Sequence, residues 1–396
     1  MKGTREEAST VTPPPPPTYI DTEEKLADWL SYCEGKTVLA VDTESDSFHH
    51  YREKVCLIQM SATGRDAIID PLAVDIEPLR ETLKDPKIAK IFHDAVYDLV
   101  CLKRDYDFEV EGIFDTMVAS RLLGYKSFGL GPILNERFGF VANKKLQRSD
   151  WARRPLSAEQ IDYARFDTHF LEELRIALID ELEAAGRLKW AEEEFARLPE
   201  VANRIRPRAT GPDPDGFWRV KGIRNLGPEI LGRIRSLHMA REKIAERVDR
   251  PPFKVFGDHV LVELARHPPK RLSDLRPRPG LRKAGVDRFG KEIFDALSKA
   301  TPVKGKAPKG VGRRRRHGRF LDPDARQRYQ DLRDVRKEVA GEIGIDPDVA
   351  LGNAALEEFA KAPPSTLGDV RRHPEHEGWR AEYLAEPIYR ALDGST

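Results

Sequence analysis

Val38-Leu39-Ala40-Val41-Asp42-Thr43-Glu44 is the stretch on which the fold class turns. Four apolar residues make a short strand that ends abruptly in two acids. Positions i and i+2 of a strand point to one face, so Asp42 and Glu44 stand side by side. Paired carboxylates repel each other unless a cation neutralises them, and Mg²⁺ and Mn²⁺ prefer such oxygen ligands. Taken alone, the pattern is also that of a charged strand end facing water. Moving outward, Val55-Cys56-Leu57-Ile58-Gln59-Met60 and Ala67-Ile68-Ile69-Asp70 read as second and third strands, the third closed by Asp70-Pro71. Lys90-Ile91-Phe92-His93 reads as a fourth. Helices are expected over about Thr22–Tyr32, 75–84 and 95–104. Asp115 looks like an N-cap. Ser157 with Gln160 is a capping-box pattern that should open one long helix reaching about Ala185. A three-strand meander followed by mixed strands and helices indicates an α/β domain with a mixed sheet covered by helices.

The chain has 396 residues and a formal charge of +1, a length that suits two or three domains. No apolar run is long enough to span a membrane, and the N-terminus has no secretory h-region. Cys33, Cys56 and Cys101 cannot build a disulfide framework, and none sits in a C-x-x-C spacing. A cytoplasmic location is expected. The near-zero charge averages two unlike halves. Residues 1–200 hold 26 Lys/Arg against 38 Asp/Glu, and residues 201–396 hold 41 against 28. Such asymmetry is a cue for nucleic-acid contact. Residues 321–396 are net acidic, so the positive charge lies in the middle of the chain.

The organisation follows from composition. Residues 1–18 contain five consecutive prolines, a solvated polyproline spacer expected to be disordered. The α/β domain is expected over 19–200. Beyond it the sequence repeats: Leu237–Arg276 aligns without gaps on Leu332–Arg371, pairing Arg241 with Arg336, Pro252 with Pro347 and Glu263 with Glu358. Two copies of one small helical domain are expected, over 210–300 and 321–396. The linker between them, 301–320, has eight basic residues and no acid, the composition of a flexible basic tether.

Two more acids complete a constellation. Asp98 lies about one helical turn beyond the fourth strand, with Asp94 as a fallback. Tyr163 and Asp167 are spaced i, i+4 and so share one face of the expected long helix. A half-buried packing aromatic and a solvated acid are the commoner fates of those two residues. The ordered set resembles the DEDD exonuclease superfamily, and its tyrosine the DEDDy branch. The text around it resembles the ribonuclease D family: Val41-Asp42-Thr43-Glu44, Leu57-Ile58-Gln59, Ile69-Asp70-Pro71-Leu72, Phe92-His93, Asp98-Leu99, Phe114-Asp115-Thr116, Ser149-Asp150-Trp151 and Arg154-Pro155-Leu156. Both repeats resemble the HRDC domain.

The resemblance implies a ribonuclease H-like α/β domain followed by two all-α HRDC-type domains. It implies that Asp42, Glu44, Asp98 and Asp167 hold two divalent metal ions, Mg²⁺ or Mn²⁺, for an in-line phosphoryl displacement. Tyr163 would orient the attacking water, since an unperturbed phenol is a poor base at neutral pH. The implied activity is 3′–5′ exoribonuclease, releasing nucleoside 5′-monophosphates from RNA with a free 3′ end, tRNA precursors among the substrates. The rival readings are a DNA 3′–5′ exonuclease and a non-catalytic nucleic-acid-binding protein on the same fold. Lys144, Lys145, Arg148, Arg153 and Arg154 precede the catalytic helix and are candidates to guide the strand. Arg219, Lys221 and Arg224 form a second basic candidate stretch, with solvated loop charge as the alternative. No membrane partner is expected, and the long linker permits a monomer.

Overall fold

The computed structural model describes residues 15–141, 145–205, 211–223, 225–275, 280–281, 283–304 and 321–393. The start of the proline run, Lys144, Arg224 and the linker from Gly305 to Phe320 lie outside the described residues. The described chain forms two compact units. One comprises the residues up to Glu44, Val55–Ile205 and Gly344–Val349; the other takes in Ser45–Lys54, the stretch from Arg206 to Ile343 and the residues from Ala350 on.

In the first unit the elements run β1 (Thr18–Ile20), α1 (Glu23–Cys33), β2 (Val38–Ser45), β3 (Val55–Ala62), β4 (Arg65–Ile69), α2 (Leu79–Lys84), β5 (Ala89–Phe92), α3 (Val96–Tyr106), β6 (Ile113–Asp115), α4 (Thr116–Leu122), α5 (Leu130–Phe138), α6 (Ala158–Phe166), α7 (Leu171–Ala184) and α8 (Leu188–Arg204). The six strands form one sheet in the order β1-β4-β3-β2-β5-β6. β3 pairs antiparallel with β4, while β1 with β4, β2 with β5 and β5 with β6 are parallel. The sheet is therefore mixed, and the expected meander β2-β3-β4 lies at its centre. Every residue of β3 is buried, as a central strand covered on both faces must be. The three cysteines are free and buried.

One expectation is corrected. The helix opened by Ser157 does have its capping box, but it does not run to Ala185. It stops after Phe166, and Asp167 is its C-cap. The amides of Asp167 and Thr168 bond back three residues, to Ala164 and Arg165, which tightens the last turn. Side chains just past the break are tied to the sheet: Thr168 Oγ1 bonds Ser61 Oγ at 2.7 Å, and His169 Nδ1 meets Asp66 at 2.8 Å. These buried polar pairings draw the chain down where helical spacing alone would carry it on.

Beyond α8 the helices are α9 (Pro228–Arg247), α10 (Pro252–Val255), α11 (Asp258–Arg266), α12 (Lys283–Ser298), α13 (Pro323–Glu342), α14 (Pro347–Ala350), α15 (Asn353–Lys361), α16 (Leu367–Arg371) and α17 (Trp379–Asp393), all in the second unit except most of α14. The repeat is structural. α9, α10 and α11 begin at 228, 252 and 258, and α13, α14 and α15 begin at 323, 347 and 353. Arg241 Nη1 donates to the Phe256 carbonyl and the Asp258 carboxylate. Arg336 Nη1 donates to the Leu351 carbonyl and Asn353 Oδ1, the same positions in the second copy. Arg233 and Arg328 likewise reach the Ala265 and Ala360 carbonyls. The segment Ser45–Lys54 belongs to this unit. Tyr51 donates its hydroxyl to Glu242 and its amide to Asp249, and His50 meets Asp249 at 2.6 Å.

Candidate active site

β2 delivers Asp42 and Glu44 at its end, with Thr43 between them. Thr43 is more than a spacer. Its hydroxyl donates to Asp98 Oδ1 at 2.6 Å and its amide donates to the same oxygen at 3.1 Å. Asp98, in the first turn of α3 and buried, is thus pinned beside the two acids of β2. A carboxylate in a helix's first turn is also favoured by the helix dipole. Asp94 has a left-handed backbone (φ 67°), and its amide is held by the Asp115 carboxylate at 3.2 Å. Asp115 also accepts from the amides of Ala95, Met117 and Val118, so one side chain ties together the starts of α3 and α4.

Asp167, at the end of α6, is the fourth acid. Electrostatics show that the set converges. Burial pushes the Asp42 carboxyl well above the usual range, and Asp98, Asp167 and Glu44 raise it further. Glu44 is raised by burial and then by Asp167 and Asp98. Burial and then Asp98 raise Asp167. Asp98 is raised by burial, against the lowering pull of the Thr43 hydrogen bonds. Four oxygen-donor carboxylates that obstruct one another's ionisation fit a hard divalent cation, which would take the place of the protons they retain. They do not form a ready-made cage: among the described residues no group of three or more His, Cys, Asp or Glu stands in metal-holding geometry. Mg²⁺ sites commonly use few protein ligands, completed by waters and substrate phosphates, which suits an open set of this kind.

Tyr163 belongs to the same locus. Its phenol is driven above its ordinary range by burial, then by Asp167, Glu44 and Asp42, so it stays protonated at neutral pH. Its ring stacks on Trp151, with centroids 6.0 Å apart and planes inclined by 27°. His93 is a nitrogen donor, which hard cations such as Mg²⁺ favour less than oxygen. Burial lowers its imidazole to about 4, and Nδ1 meets Thr116 Oγ1 at 2.9 Å.

The basic candidates separate. Lys145, Arg148 and Arg153 are exposed. Arg154 instead spends its guanidinium inside the fold, on Asp70 and on backbone carbonyls. Arg219 is exposed and faces Asp213 at 3.4 Å. Lys221 is exposed, with its amide donating to the Asp258 carboxylate at 3.1 Å. Trp218 packs against the core of the first helical repeat. Thr43 and Trp151 are the participants that residue-by-residue reading missed, whereas Asp115 is the N-cap of α4, as the sequence indicated. Thr43 was detectable only as the residue enclosed by the two acids, and Trp151 only as an aromatic in a polar loop.

A mixed sheet that carries these buried carboxylates and a protonated phenol, with two helical repeats following in the chain, fits a nuclease of the 3′–5′ exonuclease class. Residues 17–183 match the 3′–5′ exonuclease family, and residues 230–297 and 325–392 each match the HRDC domain. The chain thus joins a 3′–5′ exonuclease domain to two HRDC domains and is similar to ribonuclease D along nearly its whole length. It is 27% identical to ribonuclease D of Gluconacetobacter diazotrophicus over 96% of this chain and 93% of that one. It is 32% identical to the exosome complex exonuclease RRP6 of Saccharomyces cerevisiae over 64% of this chain, but spans only 36% of that longer protein. The crystal structure of Escherichia coli RNase D, an exoribonuclease involved in structured RNA processing, shares the fold, with a TM-score of 0.70 at 23% identity, covering 96% of this chain and 99% of that chain.

Proposed function

We propose that this chain is a divalent-metal-dependent 3′–5′ exoribonuclease that releases nucleoside 5′-monophosphates and trims the 3′ ends of structured RNA, tRNA precursors among them. The observation that supports this reading is the buried set Asp42, Glu44, Asp98 and Asp167, whose members raise one another's carboxyls, with the Tyr163 phenol near Asp42, Glu44 and Asp167. Those four carboxylates would hold the metal ions, with the Thr43 hydroxyl keeping Asp98 in place. When bound, two divalent ions would activate a water for in-line attack on the terminal phosphodiester and stabilise the departing 3′ oxygen. Tyr163 keeps its proton, so it donates a hydrogen bond that orients the attacking water and does not act as a base. Exposed Lys145, Arg148 and Arg153 lie in the segment before α6 and would lead the 3′ end inward by phosphate contact. No described helix is long and apolar enough to cross a membrane.

The test uses 5′-labelled RNA and DNA oligomers with Mg²⁺, with Mn²⁺ and with EDTA. One-nucleotide shortening from the 3′ end of RNA, dependent on metal and abolished in Asp42→Ala and Asp167→Ala, is the expected result. Shortening of DNA alone would replace the RNA reading with the DNA one. No shortening of either polymer in either metal would remove the enzyme reading altogether.

A further inference from the structure

We propose that Arg154 and Asp70 are positioning residues for Tyr163, acting through Trp151. This inference rests on the exoribonuclease reading and assigns a device within the same site.

The sequence offered Arg154 as a phosphate-binding residue, but its geometry assigns it elsewhere. Nε donates to Asp70 Oδ2 at 2.6 Å and Nη2 to Asp70 Oδ1 at 2.6 Å, a parallel fork on one carboxylate. Nη2 also donates to the Cys56 carbonyl at 2.9 Å. Nη1 donates to the Trp151 carbonyl at 2.6 Å and to the Arg153 carbonyl at 3.1 Å. All three guanidinium nitrogens are thus engaged by the protein. Asp70 is only 2% exposed and is itself saturated, taking the Tyr19 hydroxyl at 2.5 Å and the Leu72 amide at 3.0 Å. The clamp therefore joins β1 through Tyr19, β3 through Cys56 and the end of β4 through Asp70 to the backbone of Trp151. A planar fork is needed to hold a carboxylate and carbonyls at once, and a lysine ammonium cannot reproduce it.

What the clamp holds is informative. Trp151 is 1% exposed and its ring lies on that of Tyr163. Cys56, Leu57, Ile68, Trp151 and Ala164 form one buried cluster, with Tyr19 and Tyr163 packed against it. The indole N–H is buried with no hydrogen-bond partner, so no polar contact of the ring itself holds it in place. The ring is retained there by packing and by the grip of Arg154 on its carbonyl. Its consequence is to restrict the swing of the Tyr163 ring, and so to fix where the phenol proton points beside the carboxylates.

The experiment uses the full chain, a 5′-labelled single-stranded RNA oligomer and Mg²⁺. Arg154→Lys and Trp151→Leu are each measured alone and combined with Tyr163→Phe. Arg154→Lys keeps the charge and loses the fork; Trp151→Leu keeps the clamp and removes the ring. Both are expected to lower kcat about tenfold with KM within about twofold, because a mispositioned group costs rate rather than affinity. In the Tyr163→Phe background neither should lower kcat further by more than about twofold, the coupling expected of residues acting through one another. The salt dependence of RNA binding should not change. A raised KM in Arg154→Lys with a shallower salt dependence would make Arg154 a phosphate contact and overturn the proposal. So would losses that multiply in full with that of Tyr163→Phe. If Arg154→Lys does not fold, Trp151→Leu decides by the same criteria. A wild-type chain inert on RNA would overturn the exoribonuclease reading and this one together, whereas an active wild type with independent losses overturns this one alone.

Discussion

Tyr163 illustrates how a residue's surroundings select its role. A phenol acting as a base must lose its proton, and here burial, with Asp167, Glu44 and Asp42 nearby, opposes that loss. The sign is testable. A required phenolate would make the rate rise about tenfold per pH unit below the phenol's pKa. An orienting hydrogen-bond donor makes no such demand. Tyr163→Phe should therefore lower kcat by about 10²-fold, and the ratio of wild-type to variant rates should stay constant from pH 7 to 9 in pH–rate profiles. A ratio that climbs with pH would return Tyr163 to the role of base. The sequence offered the carboxylates only as an ordered set, since a strand-end D-x-E and a helical Y-x-x-x-D are each common alone. What holds them was not legible there, since the Thr43–Asp98 and Arg154–Asp70 contacts join positions 55 and 84 residues apart.

At the scale of elements, the repeat was the clearest sequence signal and the break after Phe166 the least visible. A constant offset reports the same fold twice, and helices starting at 228 and 323 obey it. Helix period cannot report the break, because apolar spacing continues across it and the cause lies in Ser61 and Asp66 on the sheet. β1 and β6, at three residues each, are too short for alternation to show. The repeat also explains why some of the basic charge is unavailable to RNA. Arg241 and Arg336 are buried; the first fastens α9 to the start of α11, and the second fastens α13 to the start of α15. Arg241→Met and Arg336→Met should each destabilise the chain by about 2 kcal/mol through lost charge-assisted hydrogen bonds. Urea unfolding should show both losses while RNA affinity of the folded protein stays the same. A variant that loses RNA affinity without losing stability would return that arginine to the RNA-contacting set.

Across the whole molecule, the formal charge of +1 conceals a division of labour. The acids in the first half include the four that would hold metal, and their mutual repulsion is the electrostatic demand a cation meets. That same acidity repels an RNA backbone, so strand entry requires local exceptions, and Lys145 and Arg148 are exposed ones. They sit in the same segment as Trp151 and Arg154, whose groups are consumed by the fold. One loop thus carries two kinds of basic residue, and salt separates them. Each phosphate contact to a single strand contributes about 0.7 to the slope of log affinity against log salt. Lys145→Gln combined with Arg148→Gln should therefore flatten the slope by about 1.4 and raise KM, leaving kcat at saturating RNA unchanged. Arg154→Lys should do the reverse, lowering kcat and leaving the slope alone. If the double variant and Arg154→Lys fall on the same salt line, the loop has a single role and the division drawn here between guiding and positioning charge is wrong.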